Sequence, residues 1–138
     1  MHRLGAHHAE VETRRNLAGT LATLVEEPVY QFWPAGLEMV GADRVRRYYE
    51  HLFDHFIPNT RAYRLLSEWV SPESLAQEYE IQLEVEGAVE THRVMGILVA
   101  SGELLGGERI YASEACMRRM LGDALLRELT PIAAMISS

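Results

Sequence analysis

The 138-residue sequence holds one cysteine, Cys116, so no intrachain disulfide can form and no cysteine cluster is available for a metal. No run approaches the roughly 20 apolar residues of a membrane-spanning helix. Residues 1–10 contain no apolar segment of signal-peptide length. Together these absences predict a cytoplasmic protein. Basic residues are outnumbered, 13 Lys and Arg against 20 Asp and Glu, for a formal net charge of −7. They are scattered, and no basic block exists to neutralise a phosphate backbone or an anionic membrane. Nucleic acid and membrane are therefore not expected as partners. A glycine-rich phosphate loop is missing as well, because Gly106-Gly107 precedes strand residues and not a helix.

What is present fits one folded domain spanning residues 1–138, with 48% apolar and 24% charged residues. Residues 6–26 read as a helix with Leu17, Ala18, Leu21, Leu24 and Val25 on one stripe, stopped by Pro28. Residues 29–34 read as a short strand that 37–40 can pair with. Asp43 is the expected N-cap of a second helix carrying Val45, Tyr48, Tyr49, Leu52, Phe53 and Phe56 on one side. Strands are expected at 61–70, 75–86, 89–100 and 104–112, then a helix at 113–129. An apolar tail occupies 132–136. This order is α+β, with helices on one face of an antiparallel sheet.

The clearest pattern is period two. Tyr79, Ile81, Leu83 and Val85 alternate with Glu78, Glu80, Gln82, Glu84 and Glu86, so one face is buried and the glutamates form a wet stripe. Taking Gly87-Ala88 as a two-residue hairpin loop places Glu90, His92, Val94, Gly96 and Leu98 on the apolar side. Met95, Ile97 and Val99 then point outward. Such a patch predicts a homodimer face, the alternative being a cover formed by a helix or by the 132–136 tail. The next hairpin stays open. A two-residue loop, Ser101-Gly102, turns Arg109 and Tyr111 inward, whereas a three-residue loop, 101–103, turns Glu108, Ile110 and Ala112 inward.

The runs Gly41-Ala42-Asp43-Arg44-Val45, Tyr48-Tyr49-Glu50-His51-Leu52-Phe53, Gln77-Glu78-Tyr79 and Gly107-Glu108-Arg109-Ile110-Tyr111 occur in a telling order. In that order the chain resembles the nuclear-transport-factor-2-like superfamily, and within it the SnoaL-like polyketide cyclase group. The resemblance implies a cystatin-like cone of curved antiparallel sheet wrapped around N-terminal helices and a pocket, often dimerising through the sheet. Residues 30–34, Tyr-Gln-Phe-Trp-Pro, are also similar to a segment of limonene epoxide hydrolase, with Tyr30 matching its water-holding tyrosine. Phe32 replaces an asparagine of that enzyme, and Tyr79, Ile81 and Ile110 replace its Arg, Asp and Asp. None of these three supplies a carboxylate base or a guanidinium, so epoxide hydrolysis by that route is not expected. The same alignment favours Glu108 and Ile110 inward.

Three side chains are candidates for acid–base work. His92 is expected on an apolar wall, and an imidazole is the side chain suited to proton transfer near neutral pH; the plain alternative is a core histidine tied to a carbonyl or to Glu90. Tyr30 can hold a water or donate to a developing oxyanion; otherwise it is a core aromatic with a surface hydroxyl. Glu108, if inward, is raised in pKa by its surroundings; otherwise it is exposed or ion-paired. Phe32, Tyr79, Ile81, Val94 and Ile110 are the expected pocket walls. His51 and His55 are spaced i, i+4 but lie with arginines on a polar side, so no metal is expected. His7 and His8 lie near the terminus, and no role is expected of them. Two functions follow: a pocket protein doing cofactor-free acid–base chemistry on an apolar molecule, of cyclase, isomerase or hydratase type, or a non-catalytic binding or assembly domain.

Overall fold

A computed structural model describes residues 1–132 of the chain. The elements run α1 (His2–Thr13), α2 (Leu17–Ala22), β1 (Leu24–Trp33), β2 (Leu37–Val40), α3 (Ala42–His51), β3 (Thr60–Val70), β4 (Ser74–Val85), β5 (Ala88–Ser101), β6 (Leu104–Tyr111), α4 (Glu114–Leu126) and β7 (Thr130–Pro131). A π-turn at Leu52–Phe56 and a 3-10 turn at Ile57–Asn59 extend α3. The seven strands form one curved, unclosed sheet in the order β3-β4-β5-β6-β1-β2-β7. The α+β cone expected from sequence is the observed architecture. One pairing departs from it: β1 and β6 run parallel, whereas the other neighbours are antiparallel.

The expected helix at 6–26 is in fact two helices and the start of a strand. Arg15 adopts a left-handed conformation that ends α1. Asn16 then caps α2, its side chain accepting from the Gly19 amide at 2.9 Å. Leu24 is drawn into β1 by pairing with Leu105. Pro28 lies inside β1, where the register of the β1–β6 pair shifts between Leu24 and Val29. An irregularity of that kind tolerates a residue lacking an N–H. At the other end of α1, Gly5 lets the helix rest on the sheet, since a Cβ there would come 2.3 Å from Leu75 Cδ2.

The first long hairpin turns at Glu86-Gly87, both with positive φ, and pairs Val85 with Ala88. This fits a type I′ turn. The expected loop at Gly87-Ala88 is therefore displaced, and the register moves by two residues. A two-residue displacement preserves the faces. His92 lies opposite Ile81 and Glu90 opposite Leu83, on the inner side as expected.

The second hairpin realises neither sequence alternative as written. Ser101 pairs with Leu104 around Gly102-Glu103, and an irregularity then carries the register from Ala100–Leu105 to Val99–Gly107. The extra residue in this bulge, Gly106, reverses the alternation. Glu108 and Ile110 consequently face inward, opposite Leu98 and Gly96. Gly107 (φ +150°) carries the close approach to β1: a Cβ there would stand 1.7 Å from the Val29 carbonyl oxygen. The outward apolar trio is also revised. Met95 and Ile97 are half-buried, but Val99 is only 3% exposed. The rest of the 132–136 tail beyond Ile132 lies outside the described residues.

Gly107→Ala is expected to destabilise the fold by roughly 3 kcal/mol or more, because both the backbone conformation and the contact with Val29 forbid a side chain. Gly106→Ala, whose Cβ would meet only the Ser101 side chain at 3.1 Å and more distant atoms, costs clearly less. Denaturant titration of the two variants checks the order.

Candidate functional site

The inner face of β4–β6 and the turns after α3 enclose, with α1 and α4, a cavity of about 500 Å³. Its walls are mainly apolar and aromatic: Tyr48, Leu52, Phe56, Tyr79, Ile81, Leu98 and Met120 among them. Exposed Ala9, Thr13 and Tyr63 mark its rim. His8, Glu12, Gln77 and Glu108 are the lining side chains with strongly polar groups, and no arginine or lysine lines it. The hydroxyls of Tyr48 and Tyr79 make no hydrogen bond among the described residues, so both remain available as donors to a bound molecule.

Glu108 is the chemically distinctive wall residue. The bulge at Gly106 turns it inward, and parallel pairing sets it beside Tyr30. It has no hydrogen bond or ion pair among the described residues. Burial, and then the nearby Glu12 carboxylate, push its pKa up to about 8. A carboxyl group of this kind holds its proton at neutral pH and releases it just above. Gly96 makes the room: a Cβ at that position would come 2.6 Å from Glu108 Oε1.

Behind the cavity runs a buried polar chain joining α1, α2, α3 and β1. The Thr23 hydroxyl donates to the Thr20 carbonyl at 2.6 Å, which leaves its oxygen to accept from His8 Nδ1 at 2.7 Å. On a neutral ring, His8 Nε2 then accepts from the Tyr49 hydroxyl at 3.2 Å. Tyr49 in turn shares a 2.5 Å hydrogen bond with Tyr30. Glu12 Oε2 also lies 3.2 Å from His8 Nε2, so a protonated ring would donate to Glu12 instead. Burial first, aided by Glu108, holds the pKa of Tyr30 and Tyr48 well above the ordinary phenol value; for Tyr49 burial leads and Tyr30 follows. These hydroxyls keep their protons across the working pH range.

The sequence candidates are therefore divided. Glu108, Tyr79 and Ile81 line the cavity. Tyr30, Phe32, Val94 and Ile110 are fully buried behind it, with Phe32 packed edge-on to Tyr48 at 6.0 Å. The Tyr30 hydroxyl is bonded internally rather than surface-exposed. His92 stands on the inner face but outside the cavity lining, its Nε2 3.1 Å from Glu90 Oε1. Glu90 also accepts twice from Arg119 of α4, at 3.2 and 3.0 Å. Arg119, then His92, hold the Glu90 carboxyl below its usual range. His92 is thus tied to Glu90, as in the plain alternative, and Glu90 links β5 to α4.

His8, Glu12 and Tyr48 were not singled out as site residues by sequence. The signal was the spacing of Gly5, His8 and Glu12 on one side of a helix that starts at His2, four residues before the expected beginning. His51 and His55 stack at 5.0 Å, and His51 Nε2 donates to or lies against the Arg119 carbonyl at 3.0 Å. Among the described residues, no group of three or more His, Cys, Asp or Glu is placed to hold a metal. Cys116 is buried, and burial pushes its thiol up to about 12, which suits packing and not nucleophilic work. No helix among the described residues is long and apolar enough to cross a membrane.

No protein-family profile matches the sequence, and no curated protein matches it. Solved structures do match its shape. A nuclear-transport-factor-2-like protein from Anabaena variabilis superposes with TM-score 0.66 at 17% identity, over 81% of this chain and 88% of that one. A protein from Catenulispora acidiphila with a ketosteroid isomerase-like fold, solved in complex with trimethylamine, gives TM-score 0.64 at 15% identity, over 86% and 92%. A designed protein from work on diverse pocket structures gives TM-score 0.70 at 11% identity, over 81% and 97%. At these identities the likeness concerns the fold, and the chain has the nuclear-transport-factor-2-like fold, shared with ketosteroid isomerase-like proteins.

The pKa of Glu108 predicts a stability profile. The folded state binds this proton more tightly than the unfolded state, whose glutamate titrates at roughly 4.3. Its favourable contribution is full below the unfolded pKa and is lost as pH rises toward about 8. Glu108→Gln is therefore expected to match the wild type near pH 4 and to exceed it at pH 8.5, by on the order of a few kcal/mol. Urea melts at the two pH values measure the gap; a gap that does not change with pH contradicts the assignment.

Proposed function

We propose that this protein binds a small apolar molecule in the cavity and transfers a proton on it through Glu108, in a reaction of isomerase, cyclase or hydratase type. The observation that carries the reading is an unpartnered carboxyl group in an apolar, aromatic cavity, with a pKa of about 8. Proton transfer is most effective when donor and acceptor forms are both accessible near working pH. Glu108 serves as the acid at neutral pH and as the base slightly above it. As base it removes a proton alpha to a carbonyl; the Tyr48 or Tyr79 hydroxyl donates to the oxygen where charge develops. Glu108 then returns the proton to the substrate or releases it. Tyr30 acts from behind by holding Tyr49, and His92 takes no part. The Catenulispora protein's trimethylamine complex supports small-molecule binding in this fold. A cytoplasmic site of action belongs to the same proposal.

The test is deuterium exchange of 2-tetralone, an apolar enolisable ketone, followed by proton NMR in D2O near pD 8.5. The wild type is expected to accelerate exchange, and Glu108→Gln to lose about 100-fold of that acceleration. Binding of tert-butylbenzene without any Glu108-dependent exchange would leave the non-catalytic binding domain as the correct reading.

We also propose that two copies pair through the outer sheet face. Met95 and Ile97 there share the outer face with exposed Tyr111 on adjacent β6 and, across Ala76 of β4, exposed Trp69 on β3, an apolar surface suited to a second copy. Light scattering is expected to show a dimer for the wild type and a monomer for Ile97→Glu. A monomeric wild type would refute the pairing.

A further inference from the structure

The cavity contains two carboxyl groups, Glu12 and Glu108, and no arginine or lysine to balance them. Among the described residues, His8 is the one lining side chain able to carry positive charge. It faces Glu12 at 3.2 Å, is 2% exposed, and already engages Thr23 and Tyr49. Even a charged His8 balances Glu12 and leaves Glu108 alone. The remaining walls supply aromatic rings. Tyr63 and Tyr79 lie tilted with centroids 5.3 Å apart, and Tyr48 and Phe56 also line the space. Ring faces and carboxylates share a sign of potential. Together they repel an anion and attract a cation whose own surface is apolar. A neutral hydrocarbon would fill the volume but leave the ionised form of Glu108, populated above about pH 8, without a counter-charge, which is costly.

We infer that the molecule taken by this cavity is an apolar cation, an alkyl- or arylamine or quaternary ammonium, with its charged head held between the Glu12 and Glu108 carboxyls and the rings of Tyr48, Tyr63 and Tyr79. This rests on the reading of the cavity as a ligand site and names the class of ligand. Binding below the Glu108 pKa expels its proton to solvent. Affinity for the cation therefore rises with pH toward about 8, while affinity for a neutral molecule does not. The ionisable groups that face the head are Glu12, Glu108, His8 and the hydroxyls of Tyr48, Tyr63 and Tyr79. The tyrosines named here that show a shift are moved upward and stay neutral.

The experiment compares phenyltrimethylammonium with tert-butylbenzene, its neutral carbon isostere, by protein-observed NMR titration at pH 6 and pH 8.5. The cation is expected to bind about tenfold more tightly than the isostere at pH 8.5, with most of the advantage gone at pH 6. Calorimetry in buffers of different ionisation enthalpy is expected to show about one proton released at pH 7 for the cation and none for the isostere. Glu108→Gln, an isosteric change, and Glu12→Gln should each reduce the preference, with circular dichroism confirming that each variant is folded. Equal or tighter binding of tert-butylbenzene by the wild type overturns this inference and leaves the apolar ligand site standing. A cation preference that survives in both variants overturns it too, since the attraction would then come from the net charge of the whole chain. Binding of neither compound overturns the ligand site itself, and this inference with it.

Discussion

One extra residue in β6 governs which side chains reach the interior. Regular pairing from Ser101–Leu104 onward would have continued an alternation that puts Arg109 and Tyr111 on the inner face. The bulge at Gly106 reverses it, and Gly107 then seats β6 against Val29, where no side chain fits. The parallel β1–β6 pairing transmits the result to the N-terminal half, setting Tyr30 beside Glu108 and Phe32 beside Ile110. Without the bulge the inward row of β6 would carry a guanidinium in place of a carboxyl group, and the cavity would have the opposite electrostatic character.

Keeping an unpaired acid inside a protein demands that its surroundings tolerate the proton rather than the charge. The cavity meets that demand through apolar walls and through glycine at position 96, which accommodates the carboxyl without supplying a donor. The polar chain from Thr20 through Thr23, His8 and Tyr49 to Tyr30 satisfies its own buried groups behind the cavity. Its members are committed to one another, which leaves Glu108 as a lining carboxyl without a hydrogen bond or ion pair among the described residues. Positive charge is held elsewhere. Arg93 pairs with Glu78 and Glu80 on the outer face, Arg119 with Glu90, and Arg47 with Glu128 across α3 and the end of α4. Pairs of this exposed kind contribute little stability each. Their consequence here is distribution, since the arginines sit outside and the cavity retains its acidic balance.

The proton chemistry and the cation preference draw on the same carboxyl in its two states. As a neutral acid it tolerates an apolar environment; as an anion it needs a counter-charge within that environment. On the proposed reading, a cationic ligand favours the ionised form, which is the form that would act as base, and so links ligand charge to reactivity through a single proton.

The sequence by itself determined the class of fold and the faces of its longest strands. The alternation from Tyr79 to Val85 survives a two-residue register displacement, because side-chain direction depends only on parity. It therefore also placed His92 inward. What alternation cannot specify is position along the strand, and α4 covers the stretch where His92 lies, so the imidazole meets Glu90 and Arg119 and not the cavity. The capture of Leu24 by β6 was decided by strand pairing with a residue some eighty positions away, which no local periodicity records. The same applies to His8: its burial depends on α1 lying across Leu75 through Gly5, a contact between segments seventy residues apart. Periodicity is a local property and was readable; the bulge, the helix docking and the enclosure of Glu108 are products of long-range packing, and only the tertiary structure supplied them.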